Sequence, residues 1–102
     1  MKVDIEAIKS ILIEELKAEL IYFFGSYAKG KARQDSDLDL AFLSSEEVDD
    51  YQRFLTAQKL ASKLNIEVDL VDLKKASTVF KAQIIQGKLL YAENKKQQQE
   101  FE

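Results

Sequence analysis

The stretch FFGSYAKGKARQDSDLDLAFL, residues 23–43, holds most of the side chains in this sequence whose types and spacing could do chemistry. Gly25, Gly30 and Lys31 fit the G-x-x-x-x-G-K spacing of a phosphate-gripping P-loop behind an apolar run. Asp35, Asp37, Asp39 and Glu46 fall at positions 1, 3, 5 and 12 of a calcium loop. Asp37 and Asp39 are also two apart in a run where Leu38, Leu40 and Phe42 alternate with them, and Asp69 stands in the same relation to Ile66, Val68 and Leu70. On strands, that alternation sends the acids to one face and the apolar side chains to the other.

The first two readings fail on single residues. A P-loop needs Ser or Thr after its Lys to place a hydroxyl on magnesium, and Ala32 stands there. A calcium loop needs Gly at its sixth position and a helix on each side; Leu40 occupies that position, within an alternating strand pattern. The third reading uses more of the residues. Any one Asp by itself reads as a solvated strand residue, but an alternating pair with a third acid, behind a Gly-Ser turn, reads as a site. Three carboxylates on one face repel one another, and a divalent cation removes that cost. Oxygen-only ligation with positions left for phosphate suits Mg²⁺ or Mn²⁺, and two such ions serve an attacking and a leaving oxygen. Gly25 would let the backbone approach a phosphate, with the Ser26 hydroxyl and nearby amides as donors. Taken alone, these two residues read equally as an ordinary turn and cap. Lys29, Lys31 and Arg33 fit either triphosphate neutralisation or a solvated basic loop.

The elements that must carry these residues follow from periodicity. Residues 4–16 place Ile5, Ile8, Leu12 and Leu16 at near-helical spacing, an amphipathic helix whose stripe should cover a sheet. LIYFF, residues 20–24, reads as a buried strand halted by Gly25, and residues 26–36 as a turn with at most a short helix. The second strand holds Leu38, Leu40 and Phe42. Residues 46–64, opened by a serine pair and acidic residues suited to an N-terminus, read as the longest helix, with Val48, Tyr51, Phe54, Leu55, Ala61 and Leu64 at helical intervals. Residues 66–73 give a third strand, residues 74–86 a helix stopped by Gly87, and KLLYA a last short strand. The order implies a single α/β (α+β) domain over residues 1–102. Helices would cover one face of a small mixed sheet, the other face would be free for chemistry, and residues 94–102 would form a polar tail or the start of a helix.

Bulk composition narrows the chemistry. The 102 residues include no Cys and no His, so disulfides, thiolate zinc sites and a histidine base are excluded, leaving carboxylates, hydroxyls, Lys and Arg. Acidic residues interrupt the apolar pattern of the N-terminal segment, which reads as neither a signal peptide nor a membrane span, and a cytoplasmic protein is expected. A formal charge of -3 argues against extended nucleic-acid binding, which wants a basic face.

The combination GSYAKGKARQDSDLDL, a Gly-Ser pair ten residues ahead of D-x-D, resembles the signature of the minimal nucleotidyltransferase (MNT) family within the DNA polymerase beta-like superfamily. EVDLVDL, residues 67–73, is similar to the strand that carries that family's third carboxylate. The resemblance spans roughly residues 5–93 and implies a nucleotidyltransferase fold. It further implies Mg²⁺-dependent transfer of a nucleoside monophosphate, usually from ATP, to a hydroxyl, with release of pyrophosphate. Carried across residue by residue, it makes Asp37, Asp39 and Asp69 metal-binding and catalytic, Asp69 also being the base toward the acceptor. Gly25 and Ser26 would hold the triphosphate. Lys29 stands where many relatives have Arg, and Ser36 would support the metal ligands. Small stand-alone members resemble antitoxins encoded beside HEPN-domain RNase toxins, which they disable by adding AMP to a tyrosine. Longer relatives continue into another C-terminal helix. Two alternatives remain at this point: an antitoxin that neutralises its toxin by binding alone, and transfer to a small-molecule hydroxyl.

Overall fold

The computed structural model describes residues 3–28, 30, 37–94, 99 and 101–102, with only the backbone of Ser26 and Tyr27. The chain runs α1 (Ile5–Leu16), β1 (Ala18–Phe24), α2 (Gly25–Ala28), β2 (Leu38–Ser44), α3 (Asp50–Leu64), β3 (Val68–Asp72), α4 (Thr78–Ile84) and β4 (Lys88–Ala92). The four strands form one mixed sheet in the order β3-β2-β1-β4. β1 is antiparallel to both neighbours, while β2 and β3 are parallel, joined by the crossover helix α3 as parallel strands require.

Capping sets the helix boundaries. The Asp4 carboxylate accepts from the Ala7 amide at 3.0 Å and starts α1; Lys17, at φ 55°, ends it, so the first strand begins one residue later and is longer than residues 20–24. The α3 cap is Asp49, whose carboxylate accepts from the Gln52 amide at 2.7 Å, not the serine pair, and the helix is shorter than residues 46–64. The start of α4 is similarly delayed. The Asp72 carboxylate turns back to accept from the Lys74 amide at 3.0 Å, holding residues 73–76 as a turn until Ser77 caps the helix. That turn also shortens the third strand from residues 66–73 to Val68–Asp72.

α1 and α3 cover one sheet face. Ile8, Leu12 and Leu16 of α1 and Ala57 and Leu60 of α3 pack with Ile21, Leu38, Leu40, Phe42 and Leu70. Two parts of the expected stripe are outside this core. Ile5 is 44% exposed, and Tyr51, Phe54 and Leu55 are exposed at 70%, 53% and 47%. Tyr51 lies about two and a half turns before Leu60 at ~3.6 residues per turn, which puts it on the opposite side of α3 from the core. Val48 is buried, from a position ahead of the helix.

The opposite face is open only in part. Ile84, Phe80 and Ile85 pack with Leu20, Tyr22, Ala41 and Leu73 there, and Phe24 meets Phe80 edge-on with ring centroids 5.7 Å apart. Phe101 joins this cluster, and the Tyr22 hydroxyl donates to the Glu102 carboxylate. The open part of this face is therefore limited, and it includes the end of the sheet that carries the acids. No described helix is long and apolar enough to cross a membrane.

Leu60 shows what holds the crossover helix to the sheet. It is wholly buried in the larger core, so Leu60→Ala should cost about 2–5 kcal/mol of unfolding free energy in urea titration through lost transfer energy and a residual cavity.

Candidate active site

β2 carries Asp39 in the sheet interior, flanked by the apolar Leu38 and Leu40 that pin the strand to the larger core. The register then fixes its neighbours. Across the antiparallel pair Asp39 lies opposite Phe24, the last residue of β1, and across the parallel pair it lies opposite Asp69 of β3. Side chains of paired residues leave the same face, so Asp39 and Asp69 stand side by side on strands about 4.8 Å apart. Asp37, one residue ahead of β2 and two before Asp39, is exposed at the mouth of the same face.

The electrostatics follow from this crowding. The Asp39 carboxyl is held above the ordinary carboxylate range, first by burial, then by the negative charge of Asp69, then by that of Asp37. Asp69 and Asp37 are exposed. Among the described residues, no group of three acidic side chains is disposed to hold an ion by itself. Asp69 and Asp37 thus act on Asp39 as charges without forming a closed cage around an ion.

Gly25 meets Asp39 from the side of β1. It follows Phe24 directly, has φ +74°, and carries no side chain, which matters twice. A Cβ there would collide with the Asp39 Oδ2 and come within 3.0 Å of its Cγ, and the left-handed backbone disfavours any L side chain. The turn from β1 into the single-turn helix α2 therefore lies directly against the carboxylate.

Two cavities flank the acids. A cavity of about 700 Å³ opens beside Gly25, between Phe24 and Ala28 on one side and Phe80, Gln83 and Lys88 on the other. A second, of about 310 Å³, lies on the β3 side with Asp69 in its wall and Phe80 in common with the first. The Arg53 guanidinium closes part of the β3 edge by donating to the Leu70 carbonyl at 2.9 Å, and Asp50 sits 3.6 Å from Arg53 and 3.5 Å from Lys75. Lys75 also donates to the Val48 carbonyl at 2.9 Å.

Of the residues singled out by sequence, the structure pairs Asp39 with Asp69 across β2 and β3 and sets Gly25, the residue after the end of β1, against the Asp39 carboxylate, with Asp37 two residues before Asp39. Ser26 follows Gly25 in α2. Lys29, Lys31, Arg33, Asp35 and Ser36 lie outside the described residues. Sequence reasoning did not reach Phe80, Gln83, Lys88, Arg53 or Lys75. The spacing of Phe80 and Gln83 puts them on one side of α4, but nothing in their types says that this side faces the acids.

The family described as polymerase beta nucleotidyltransferase matches residues 6–96. The chain belongs to this family. A protein adenylyltransferase MntA of Shewanella oneidensis is 50% identical over 76 residues, which cover 74% of this chain and 55% of that protein, so the chain spans about half the length of this curated relative. Among solved structures, a chain in a toxin–antitoxin crystal structure with AMP-PNP superposes with a TM-score of 0.91 at 39% identity, covering 97% of this chain and 81% of that one. A chain in the complex of tri-AMPylated Shewanella oneidensis HEPN toxin with MNT antitoxin gives 0.80 at 37% identity, covering 95% and 76%. Within this polymerase beta nucleotidyltransferase fold, the carboxylate row and the Gly25 turn share the open end of the sheet.

Proposed function

We propose that this chain is the antitoxin of a HEPN/MNT toxin–antitoxin pair, a cytoplasmic protein adenylyltransferase that transfers AMP from ATP to a tyrosine hydroxyl of its HEPN RNase toxin. The observation that carries this reading is the Gly25–Asp39–Asp69 arrangement, on a domain that superposes at 0.91 with a chain of the toxin–antitoxin structure holding AMP-PNP.

The donor set fits a hard divalent cation. It consists of carboxylates alone, Asp39 being raised first by burial and then by the charges of Asp69 and Asp37, and since the described acids do not close around an ion by themselves, phosphate oxygens would complete its shell. Asp37, Asp39 and Asp69 would hold Mg²⁺, with Mn²⁺ as substitute, and the ion would neutralise charge building on the transferring phosphate and on pyrophosphate. The protein's own groups do the rest. Gly25 and Ser26 cradle the triphosphate, and because Gly25 has no Cβ the turn can lie directly against the Asp39 carboxylate. The cavity beside Gly25 has the volume for a nucleoside. Asp69 takes the proton of the acceptor hydroxyl, and Lys29 and Ser36 serve the triphosphate and the metal ligands.

Incubation with labelled ATP, Mg²⁺ and the HEPN toxin encoded beside this chain should label a toxin tyrosine, and chelation of divalent ions should stop it. Folded protein that labels no toxin under these conditions would reject the reading.

A further inference from the structure

The reaction assigned above has a second substrate, and the structure holds a second cavity for it. We infer that the recess of about 310 Å³ on the β3 side of Asp69 receives the acceptor side chain, with Ala76 setting its depth and Lys75 positioning the acceptor at its rim. This inference rests on the adenylyltransferase reading and specifies where its protein substrate binds.

In nucleotidyl transfer the attacking and leaving oxygens stand roughly in line across the phosphorus. Phe24 at the end of β1, Asp39 on β2 and Asp69 on β3 are register partners, and Gly25 follows Phe24 directly and abuts the Asp39 carboxylate, so the line from the Gly25 turn to Asp69 runs from β1 toward β3. With the triphosphate at the Gly25 end, pyrophosphate leaves on the β1 side and the acceptor oxygen must arrive from the β3 side. Asp69 forms part of the wall of the recess on that side, which brings a carboxylate to the proton that has to be removed. The acceptor oxygen forms a bond to the α-phosphorus and its proton passes to the Asp69 carboxylate. The bond from that phosphorus to the bridging oxygen breaks, and pyrophosphate departs with the electron pair.

The recess also states the class of acceptor. At about 310 Å³ it falls at the bottom of the roughly 300–1,000 Å³ range of small-molecule sites, room for one aromatic side chain and little more. Phe80 and Ala76 supply an apolar wall, and Lys75, beside Asp50, supplies a charged rim. That combination suits a tyrosine projecting from a folded protein whose surrounding polar surface rests on the rim. It is small for a multi-ring glycoside.

Ala76→Phe fills the recess, which Gly25 does not line. The expected result is a fall of at least about 100-fold in transfer of labelled AMP to the toxin, with AMP-PNP affinity by calorimetry within twofold of the native protein. Transfer within threefold of native would overturn the inference, and so would loss of AMP-PNP binding by folded protein, since the recess would then belong to the nucleotide. Should Ala76→Phe fail to fold, Lys75→Glu at the exposed rim replaces it. That variant should raise KM for the toxin about tenfold or more without changing KM for ATP, and unchanged KM values for both overturn the inference. Native protein that transfers nothing to the toxin would defeat the parent reading, whereas native transfer with indifferent variants defeats only the placement of the acceptor.

Discussion

Asp39→Asn should lower AMP transfer to the toxin by about 10²–10³-fold or more while leaving the folded state at least as stable as the native protein. The two halves of this result have one cause. Asparagine keeps the shape of Asp39 and its place opposite Phe24 and Asp69, so the strand register has no reason to move. What disappears is a half-buried charge held against two others. In the native protein burial and the charges of Asp69 and Asp37 all disfavour ionised Asp39, and removing that charge relieves the repulsion. A carboxylate kept for structure alone would show the opposite pattern, with stability falling and activity following it. Proteins commonly keep such locally unfavourable arrangements where function requires them. The check is a pair of measurements on one preparation: the denaturant midpoint, and the rate of label transfer with saturating ATP and Mg²⁺. A thermal melt adds a third. Mg²⁺ should raise the midpoint of the native protein, because an ion that binds only the folded state stabilises it, and should raise that of the variant less.

The acids were legible because period-two alternation is a local property. Leu38, Leu40 and Phe42 had to face a core, which forced Asp37 and Asp39 outward together, and the same logic applied to Asp69 beside Leu70. That β2 and β3 are neighbours in parallel register is not local. It became readable only because the motif resembled a family, and the pairing of Asp39 with Asp69 is a fact of the sheet. The helix limits were misjudged for a related reason. Asp49 and Ser77 are caps whose use depends on side-chain hydrogen bonds, and apolar spacing carries no trace of them. Tyr51, Phe54 and Leu55 look like core to a periodicity count, yet α3 meets the sheet through Ala57 and Leu60, and small Ala57 contributes little to such a count. The second face was harder still. The placement of Phe80 and Ile84 against Tyr22 and Leu20 depends on how the turn at residues 73–76 redirects the chain, and that turn is set by the Asp72 side chain. Both cavities beside the acids take a wall from Phe80 as a result.

Two glycines with nearly the same backbone angle separate the strain of a turn from the needs of the site. Gly25 has φ +74° and Gly30 has φ +70°, so alanine at either position meets a similar conformational penalty, on the order of 1–3 kcal/mol. Their surroundings differ. Among the described residues, an added Cβ at Gly30 meets nothing within 4 Å, whereas at Gly25 it would collide with the Asp39 carboxylate. Gly25→Ala must therefore push Asp39 aside, shift the start of α2, or both, and a displacement of about 1 Å in reacting groups can cost ~10²-fold in rate. Gly25→Ala should lose AMP transfer by about that factor or more, with weakened AMP-PNP binding because the same turn borders the larger cavity. Gly30→Ala should lose comparable stability by urea titration and keep transfer within a few-fold of native. Equal activity losses in the two variants would mean that backbone strain alone accounts for the defect and that Gly25 has no special relation to Asp39. Activity retained in Gly25→Ala would go further, since a phosphate seated on this turn could not tolerate the added carbon.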